Sequence, residues 1–322
     1  MGDSIVRSQP PLVGVVIPTL NGEKYVARAI QSLRSQTIMD WVCVVIDNAS
    51  SDHTGEEILA AIDDDTRFKV VTNRTCLPQA ENWNKGICEL PEDIKYLKVL
   101  CDDDWLYPEY FAEKIPVLEG SADVGICSSF RIDGDSIGGL GLKYDEGPVY
   151  QGKEILVRTL LGELEVFGSP STVFYSVEWL QKIGRYPEVF DGSVPHFDTV
   201  LAIDLVAVSN LGFVWKVLSY TDRNDQTVTA TIANRFRSHY CYRVIMLRRY
   251  SQLDIRLVRF EKELRRRYLR FLLLARVRGD IRTIEWHKRE CPLSFGNLEM
   301  IRALNVFGYL FRWLCTKVCK MV

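Results

Sequence analysis

Three consecutive carboxylates, Asp102, Asp103 and Asp104, follow a short apolar segment at 96–100. Adjacent negative charges repel one another, so such a run is most stable when a cation or several hydrogen-bond donors lie among the acids. Carboxylate oxygens are preferred ligands of Mg²⁺ and Mn²⁺, and a weakly held Mg²⁺ usually shares its coordination shell with substrate phosphates. A solvated acidic turn is the alternative for an isolated run of acids. The elements around the run decide between the two interpretations.

The chain before the acids alternates strand-like apolar segments with helical patterns. The segment at 12–17 is continuously apolar and ends at Pro18, which favours a buried parallel strand. Further strands are predicted at 42–46, 68–71 and 95–101, with helices near 25–33 and 79–90 and another that carries Ile58, Leu59 and Ile62. This alternation predicts an α/β fold with a mostly parallel central sheet flanked by helices.

Polar residues follow each of these predicted strands. They are Thr19 and Asn21, Asp47 and Asn48, Asn73, and then the three acids. Ligands of such sheets bind beyond the carboxyl ends of the strands, so these side chains define one candidate site. No GxGxxG or GxxxxGK[ST] motif follows a strand, which leaves dinucleotide and P-loop interpretations without support.

The next part of the chain predicts a helix at 111–118, a strand at 124–132, a helix near 154–161 and a helix from Phe197. A glycine-rich loop at 134–147 is either a lid or a plain surface excursion. Asp198 falls in the first turn of the helix from Phe197, where a cap is the commonest role for an acid.

Charge is divided unevenly along the chain. The net charge of −2 combines about −16 over residues 1–230 with about +14 over residues 231–322. We therefore expect a catalytic domain at 1–230 and a basic amphipathic helical region at 231–322. The leucine and aromatic content of that region favours an anionic membrane surface over nucleic acid as its partner. Packing on the catalytic domain or formation of a homodimer is the alternative.

The nine cysteines form no CxxC pair, which favours reduced core thiols in a cytoplasmic protein. The first residues lack an apolar signal core, and no run of about 18 apolar residues occurs. The expected location is the cytoplasm, peripheral to the inner face of the membrane.

Four motifs, PTLNG, VVIDNASSDHT, NWNKGI and CDDDWLYP, occur in the order that resembles a family 2 glycosyltransferase with the GT-A fold, over roughly residues 12–225. The resemblance implies inverting transfer of a sugar from a nucleotide-diphosphate donor, with a UDP-sugar favoured. The implied acceptor is a hydroxyl of a glycan or lipid-linked sugar in surface polysaccharide biosynthesis. It also implies Mn²⁺ or Mg²⁺ as cofactor.

By resemblance, Asp103 ligates the metal, Asp102 faces the ribose and Asp104 faces the donor sugar. Asp47 meets the base, with Asn48 as an alternative. Cys101 stands where many relatives have the first acid of a DxD motif, which leaves open which carboxylate meets the ion. The implied nucleotide-sugar residues are Pro18, Thr19, Asn21, Asp47, Asn48, Asp52, Asn84, Asp102, Asp104 and Arg223.

The same resemblance makes Asp198 the base that deprotonates the acceptor, with Asp204 as the fallback. Two departures stand out: Phe197 replaces a glutamate frequent in relatives, and YTDRNDQT lacks the histidine that often follows the arginine. The rival functions are a nucleotidyltransferase and a catalytically inactive sugar-nucleotide-binding protein. The first of these would be expected to have a glycine-rich basic loop, which PTLNGEKY does not provide.

Overall fold

A computed structural model describes residues 11–144, 147–183, 197–223 and 242–279, together with residues 281 and 285. Its strands are β1 Val13–Thr19, β2 Trp41–Asp47, β3 Phe68–Thr72, β4 Tyr96–Val99, β5 Trp105–Leu106, β6 Val124–Asp133, β7 Ser136–Gly138, β8 Val149–Tyr150, β9 Phe174–Ser176 and β10 Asn210–Thr221. Its helices are α1 Val26–Arg34, α2 Thr54–Ile62, α3 Gln79–Cys88, α4 Tyr110–Glu119, α5 Gly152–Leu161, α6 Val177–Ile183, α7 Phe197–Val206, α8 Tyr242–Arg249 and α9 Ile255–Val277.

One sheet contains all of these strands, in the main order β3-β2-β1-β4-β9-β6-β10-β5. The first four are parallel, as the alternating pattern predicts. β9 then lies antiparallel between β4 and β6, and β6 pairs parallel with β10. The mixed α/β architecture is confirmed, and the antiparallel β9 brings the 168–176 segment beside the end of β4.

β1 is longer than the sequence predicts, because it continues through Pro18 to Thr19. The Val16 carbonyl accepts a hydrogen bond from the Leu100 amide on the β4 side. Since backbone groups alternate sides along a strand, Pro18 faces that same side, beyond the last β4 pair. Its missing N–H therefore costs no ladder bond.

The core lies between the sheet and its helices. α1 buries Val26, Ala29, Ile30 and Leu33 at the spacing predicted for its apolar face. α3 approaches the sheet closely at Gly86, where an added Cβ would lie 2.6 Å from Val16 Cγ1. This contact fixes the helix that carries Asn84 against β1 and β2.

The glycine-rich loop is partly ordered as a strand, because β7 forms a hairpin with the end of β6. Its role as a lid stays a prediction. The expectation of core thiols holds for Cys43 and Cys127, whereas Cys76 and Cys88 are exposed.

The chain divides into two compact units, and the described residues up to Arg223 belong to the first and 242–279 to the second. The domain boundary at 230 stays a prediction. In the second unit, α9 buries Leu257, Leu264 and Tyr268 along one face. Within the described residues, no helix combines the length and the apolar character needed to cross a membrane.

Candidate active site

The acidic run lies where the carboxyl ends of β1 and β4 meet. Thr19 Oγ1 donates a hydrogen bond of 2.5 Å to Asp102 Oδ2. Gly22 lies against this contact: a Cβ there would come within 2.3 Å of the Thr19 hydroxyl and 2.4 Å of Asp102 Oδ2. The glycine of the PTLNG motif therefore allows the β1–α1 loop to pack onto the acids. The juxtaposition expected from the strand ends is present.

Asp104 is the most buried of the three acids, with 2% of its surface exposed. Its carboxylate accepts hydrogen bonds from Ser169 Oγ at 3.0 Å and from the Asp222 amide at 2.9 Å. Burial, with the nearby Asp103 charge, raises the pKa of Asp104 to about 7. Burial is also the main cause that raises the pKa of Asp102 to about 7. A cation beside Asp104 would therefore compete with a proton near neutral pH, whereas the Asp102 carboxylate is engaged by Thr19.

The residues around Asp103 fit a hard divalent ion. Ligand atoms of Cys101, Asp103 and Asp104 lie within 4.8 Å of one another. The pKa of the Cys101 thiol is raised well above its usual value by burial and by the three acids, so sulfur stays protonated and is a poor ligand here. Two carboxylates remain, which suits Mg²⁺ or Mn²⁺. Asp104, expected to face the donor sugar, lies within this cluster beside Asp103.

Two loops beside the acids are joined by the predicted nucleotide residues. Asn21 has a left-handed backbone (φ 55°), and its side chain accepts a hydrogen bond of 2.9 Å from the Ser51 amide. Asp47 Oδ1 accepts from the Ser50 amide at 3.0 Å. Asp52 accepts from the amide of Thr54, the first residue of α2, at 3.1 Å. These bonds hold in place the loops that follow β1 and β2.

Asn48 is engaged by the backbone that follows β3. Its amide oxygen accepts from the Leu77 amide and its amide nitrogen donates to the Leu77 carbonyl, both at 2.9 Å. Asn73 donates to the same Asn48 oxygen at 2.9 Å and to Asn82 at 2.7 Å. Because both ends of the Asn48 amide are used within the protein, the geometry favours Asp47 over Asn48 for contact with a base. Asn84 is buried in α3.

Arg223 is bound to Asp133 through two nitrogens, the Nη2–Oδ2 distance being 2.7 Å. Its predicted contact with the diphosphate would replace or share this ion pair. A different guanidinium, that of Arg28, reaches the acids directly: Nη2 donates to the Asp103 carbonyl at 2.6 Å and to Asp222 at 2.9 Å. Arg28 also covers the Trp105 ring at 4.0 Å.

Asp198 lies in the first turn of α7, as predicted, and is half-buried. Its neighbour Phe197 packs edge-on against Trp83 of α3, with 4.8 Å between ring centroids. Phe197 therefore fills an apolar contact at the position where relatives often have a glutamate. Burial raises the pKa of Asp198 to about 6. Asp204, the alternative base, lies two turns further along the same helix and is also half-buried.

Several residues of the site could not be predicted from the sequence. Ser169, Asp222 and Arg28 touch the acidic run from segments 65, 118 and 75 residues away along the chain. Pairing across such separations leaves no local pattern. The one available signal is GSPS, a cluster of turn residues just before a strand.

Solved structures with the same architecture are glycosyltransferases. S. aureus TarS (residues 1–349) superposes with a TM-score of 0.55 at 15% identity, covering 73% of this chain and 65% of that one. A mannosyltransferase from Pyrobaculum calidifontis, in complex with GDP-Man and Mn²⁺, gives a TM-score of 0.54 at 13% identity over 92% of this chain and 84% of that one. The fold is that of the GT-A glycosyltransferases.

The sequence model described as "Glycosyl transferase family 2" matches residues 14–184, more than half of the chain. The protein belongs to glycosyltransferase family 2. An uncharacterized glycosyltransferase of Rickettsia typhi is 28% identical over 71% of this chain and 69% of that protein. A second, from Methanocaldococcus jannaschii, is 28% identical over 45% of this chain. The match spans half of that relative's length.

Proposed function

We propose that this glycosyltransferase moves a sugar from a UDP-sugar to a hydroxyl of a glycan or lipid-linked acceptor, with inversion at the anomeric carbon. The observation that carries the proposal is the contact of Thr19 with Asp102 beside the clustered carboxylates of Asp103 and Asp104. This arrangement brings the loops that carry the predicted nucleotide residues and a set of carboxylate ligands to one edge of the sheet. A leaving diphosphate needs both.

In this proposal Asp103, with Asp104 beside it, holds Mn²⁺ or Mg²⁺. The bound ion supplies charge stabilisation for the diphosphate as it leaves. Asp102, oriented by Thr19, faces the ribose, and Asp47 meets the base. Arg223 releases Asp133 to bind the diphosphate, because guanidinium forms two parallel hydrogen bonds to phosphate as it does to carboxylate.

Asp198 removes the proton of the acceptor hydroxyl. The acceptor oxygen forms a bond to the anomeric carbon while the bond from that carbon to the diphosphate oxygen breaks, and the electron pair leaves with the nucleotide diphosphate. A carboxylate with a pKa of about 6 is ionised at neutral pH and still basic enough for this step. A single displacement inverts the configuration.

The choice of a uridine donor draws on the relatives. TarS has been solved with UDP-GlcNAc. A Campylobacter jejuni relative, 31% identical over 30% of this chain and 31% of its own, is named a GalNAc(5)-diNAcBac-PP-undecaprenol beta-1,3-glucosyltransferase. That name supports a lipid-linked acceptor. A role in surface polysaccharide biosynthesis remains part of the proposal. The GDP-Man complex makes a guanosine donor the competitor.

A thermal-shift panel of UDP, GDP and dTDP, each with and without Mn²⁺, tests the proposal. A ligand that binds the folded state raises the melting temperature, so we expect UDP with Mn²⁺ to raise it most. Asp103→Asn is expected to abolish the Mn²⁺-dependent part of the shift. Lys182→Gln, an exposed change on α6, is the control.

Three results would contradict parts of the proposal. A larger rise in melting temperature with GDP than with UDP would make a GDP-sugar the donor. An unchanged Mn²⁺ response in Asp103→Asn would remove that residue from the metal site. No shift with any nucleotide diphosphate would argue against a sugar-nucleotide enzyme altogether. A nucleotidyltransferase would instead be stabilised by nucleoside triphosphates, and an inactive binder would bind UDP without any transfer.

We also propose that the second unit holds the enzyme at an anionic membrane surface. Five arginines of α9, at 256, 259, 266, 267 and 270, are exposed and repeat at helical spacing along one side. We call them the arginine stripe. The buried residues Leu257, Leu264 and Tyr268 lie on another side of the helix. In this proposal attachment through this helix is electrostatic, because its exposed side carries the arginines and its apolar residues are buried.

A further inference from the structure

Two lysines with no part in the proposed reaction are completely buried. Lys98 lies on β4, three residues before Cys101, and Lys114 lies on α4. A lysine is almost never fully buried unless its ammonium group is paired. Here no carboxylate bonds to either group among the described hydrogen bonds. Their partners are backbone carbonyls, and Lys98 Nζ also donates to the Tyr110 hydroxyl at 2.9 Å. The Tyr110 hydroxyl lies 3.0 Å from the Thr172 carbonyl and 2.9 Å from the Val173 carbonyl, so it contacts the same segment.

Lys98 Nζ donates to the Pro170 and Val173 carbonyls, both at 3.1 Å, and to the Ser171 carbonyl. Lys114 Nζ donates to the Thr172 carbonyl. Four successive carbonyls, at 170–173, therefore face the two amines. Three carbonyls around one nitrogen require three N–H donors, which a protonated lysine has and a neutral one lacks. Burial and the Lys114 charge lower the pKa of Lys98. The hydrogen bonds to the carbonyls act in the opposite direction, because they favour the protonated amine.

The segment whose carbonyls surround Lys98 also holds the acidic run. Ser169 Oγ donates to Asp104 at 3.0 Å. Ser171 Oγ accepts from the Cys101 amide at 3.0 Å, and a hydrogen bond from its hydroxyl helps to offset the raised pKa of Asp104. Pro170, between the two serines, gives the segment no N–H of its own at that position. Within 169–173 the Thr172 amide donates to the Ser169 carbonyl at 2.9 Å, and the carbonyls of 170–173 are held by the two lysines and Tyr110.

We infer that Lys98 is a positioning residue for the metal-binding carboxylates. Its ammonium group organises the 170–173 carbonyls in the way that a bound monovalent cation would. The segment in turn presents the Ser169 and Ser171 hydroxyls to Asp104 and the Cys101 amide. The link from Lys98 to the acids is a property of the chain itself, and its consequence for metal affinity rests on the proposed function.

The test compares Lys98→Met, which keeps the aliphatic length and removes the donors, with Ser171→Ala. Hydrogen exchange of the backbone at 101–104, measured on metal-free protein, is expected to accelerate in both. Mn²⁺ affinity, titrated in the presence of UDP by electron paramagnetic resonance, is expected to fall about tenfold or more in Lys98→Met. If Lys98 and Ser171 act through the same contacts, the Mn²⁺ affinity of the double variant is only slightly lower than that of Lys98→Met alone.

Leu156→Ala is the control, because Leu156 is fully buried in α5, outside the 169–173 segment, and its loss lowers stability. The inference is overturned if Lys98→Met lowers the melting temperature as Leu156→Ala does while exchange at 101–104 stays unchanged. Should Lys98→Met not fold, unchanged exchange in Ser171→Ala overturns it. If wild-type protein binds no Mn²⁺, the metal assignment fails, but the exchange result still decides the role of Lys98.

Discussion

The carboxylates of this enzyme differ in what surrounds them, and that difference fits the different roles proposed for them. Asp102 and Asp104 are surrounded by protein and donors, and both have a pKa raised to about 7. Asp198 lies in another element, and burial alone raises its pKa to about 6. In the proposed reaction a metal displaces the proton of Asp104, whereas Asp198 must be free to accept one.

Asp198→Asn should leave UDP and Mn²⁺ binding intact and lower transfer by about 10²- to 10⁴-fold, because the amide cannot accept the proton of the acceptor. In the wild type, kcat should fall about tenfold per pH unit below about pH 6, since protonation removes the base. Product formation from UDP-sugar, measured from pH 5 to 8, checks both expectations.

Asp204→Asn is the matched control on the same helix. It should keep the pH profile of the wild type, whatever its effect on stability. If Asp204→Asn loses the acid limb of the profile while Asp198→Asn retains full turnover, the base is Asp204.

Metal binding should depend on pH through Asp104. Its raised pKa means that the folded, metal-free protein binds more protons than the unfolded chain between about pH 4 and 7. That protein should therefore lose stability as the pH rises through this range. Mn²⁺ competes with the proton, so its affinity should rise toward pH 7 and level off above it. Calorimetric titrations at pH 5.5 and 8 that give equal affinity would refute this assignment.

At the scale of elements, the sequence predicts what depends on local pattern. The apolar runs of β1 and β2 and the helical spacing of α1 are sufficient to place Thr19 and Asp47 at one edge of the sheet. The position of β9 between β4 and β6 is not encoded in any such pattern. Ser169, which depends on β9 for its place, could therefore be found only in three dimensions.

The packing of the β1–α1 loop onto the acids makes Gly22 a test of this arrangement. In Gly22→Ala the new methyl group would collide with Thr19 Oγ1 and Asp102 Oδ2, so the loop must move away from the acids. We expect UDP affinity to fall at least about tenfold, the equivalent of roughly 1.4 kcal/mol. Isothermal titration with UDP and Mn²⁺ measures it.

Gly55→Ala is the control for the loss of a glycine. An added Cβ at Gly55, in the first turn of α2, meets nothing within 4 Å. Alanine favours a helix over glycine by about 0.5–1 kcal/mol, so this variant should be as stable as the wild type or more so, with unchanged UDP affinity. Equal affinity in Gly22→Ala would show that the loop does not form part of the nucleotide site.

At the scale of the whole molecule, the division of charge has a structural counterpart. The acidic first 230 residues include the carboxylates proposed to bind the metal, and the basic remainder includes the arginine stripe. Glu263 lies within the stripe and pairs with Arg267 at 3.1 Å, which leaves a net positive side to α9. Exposed arginines bind phosphate groups well because the guanidinium fork donates two hydrogen bonds at once.

Replacing Arg259, Arg266 and Arg270 with glutamine should weaken binding of the full chain to vesicles that contain anionic phospholipid. Each basic residue near such a surface contributes about 1 kcal/mol, so the loss should approach about 100-fold at low salt. Vesicle flotation at 0.05 and 0.5 M salt measures it, with wild-type binding falling at the higher salt through screening.

The matched control removes three exposed lysines of the first unit, Lys69, Lys182 and Lys216, and so changes the net charge equally. Because a general charge effect would weaken both variants alike, selective loss in the arginine variant would locate the contact on α9. Equal flotation of the arginine variant and the wild type would remove the membrane role of the stripe. Binding to neutral vesicles that resists salt would point to apolar insertion instead, by a part of the chain other than the arginine face.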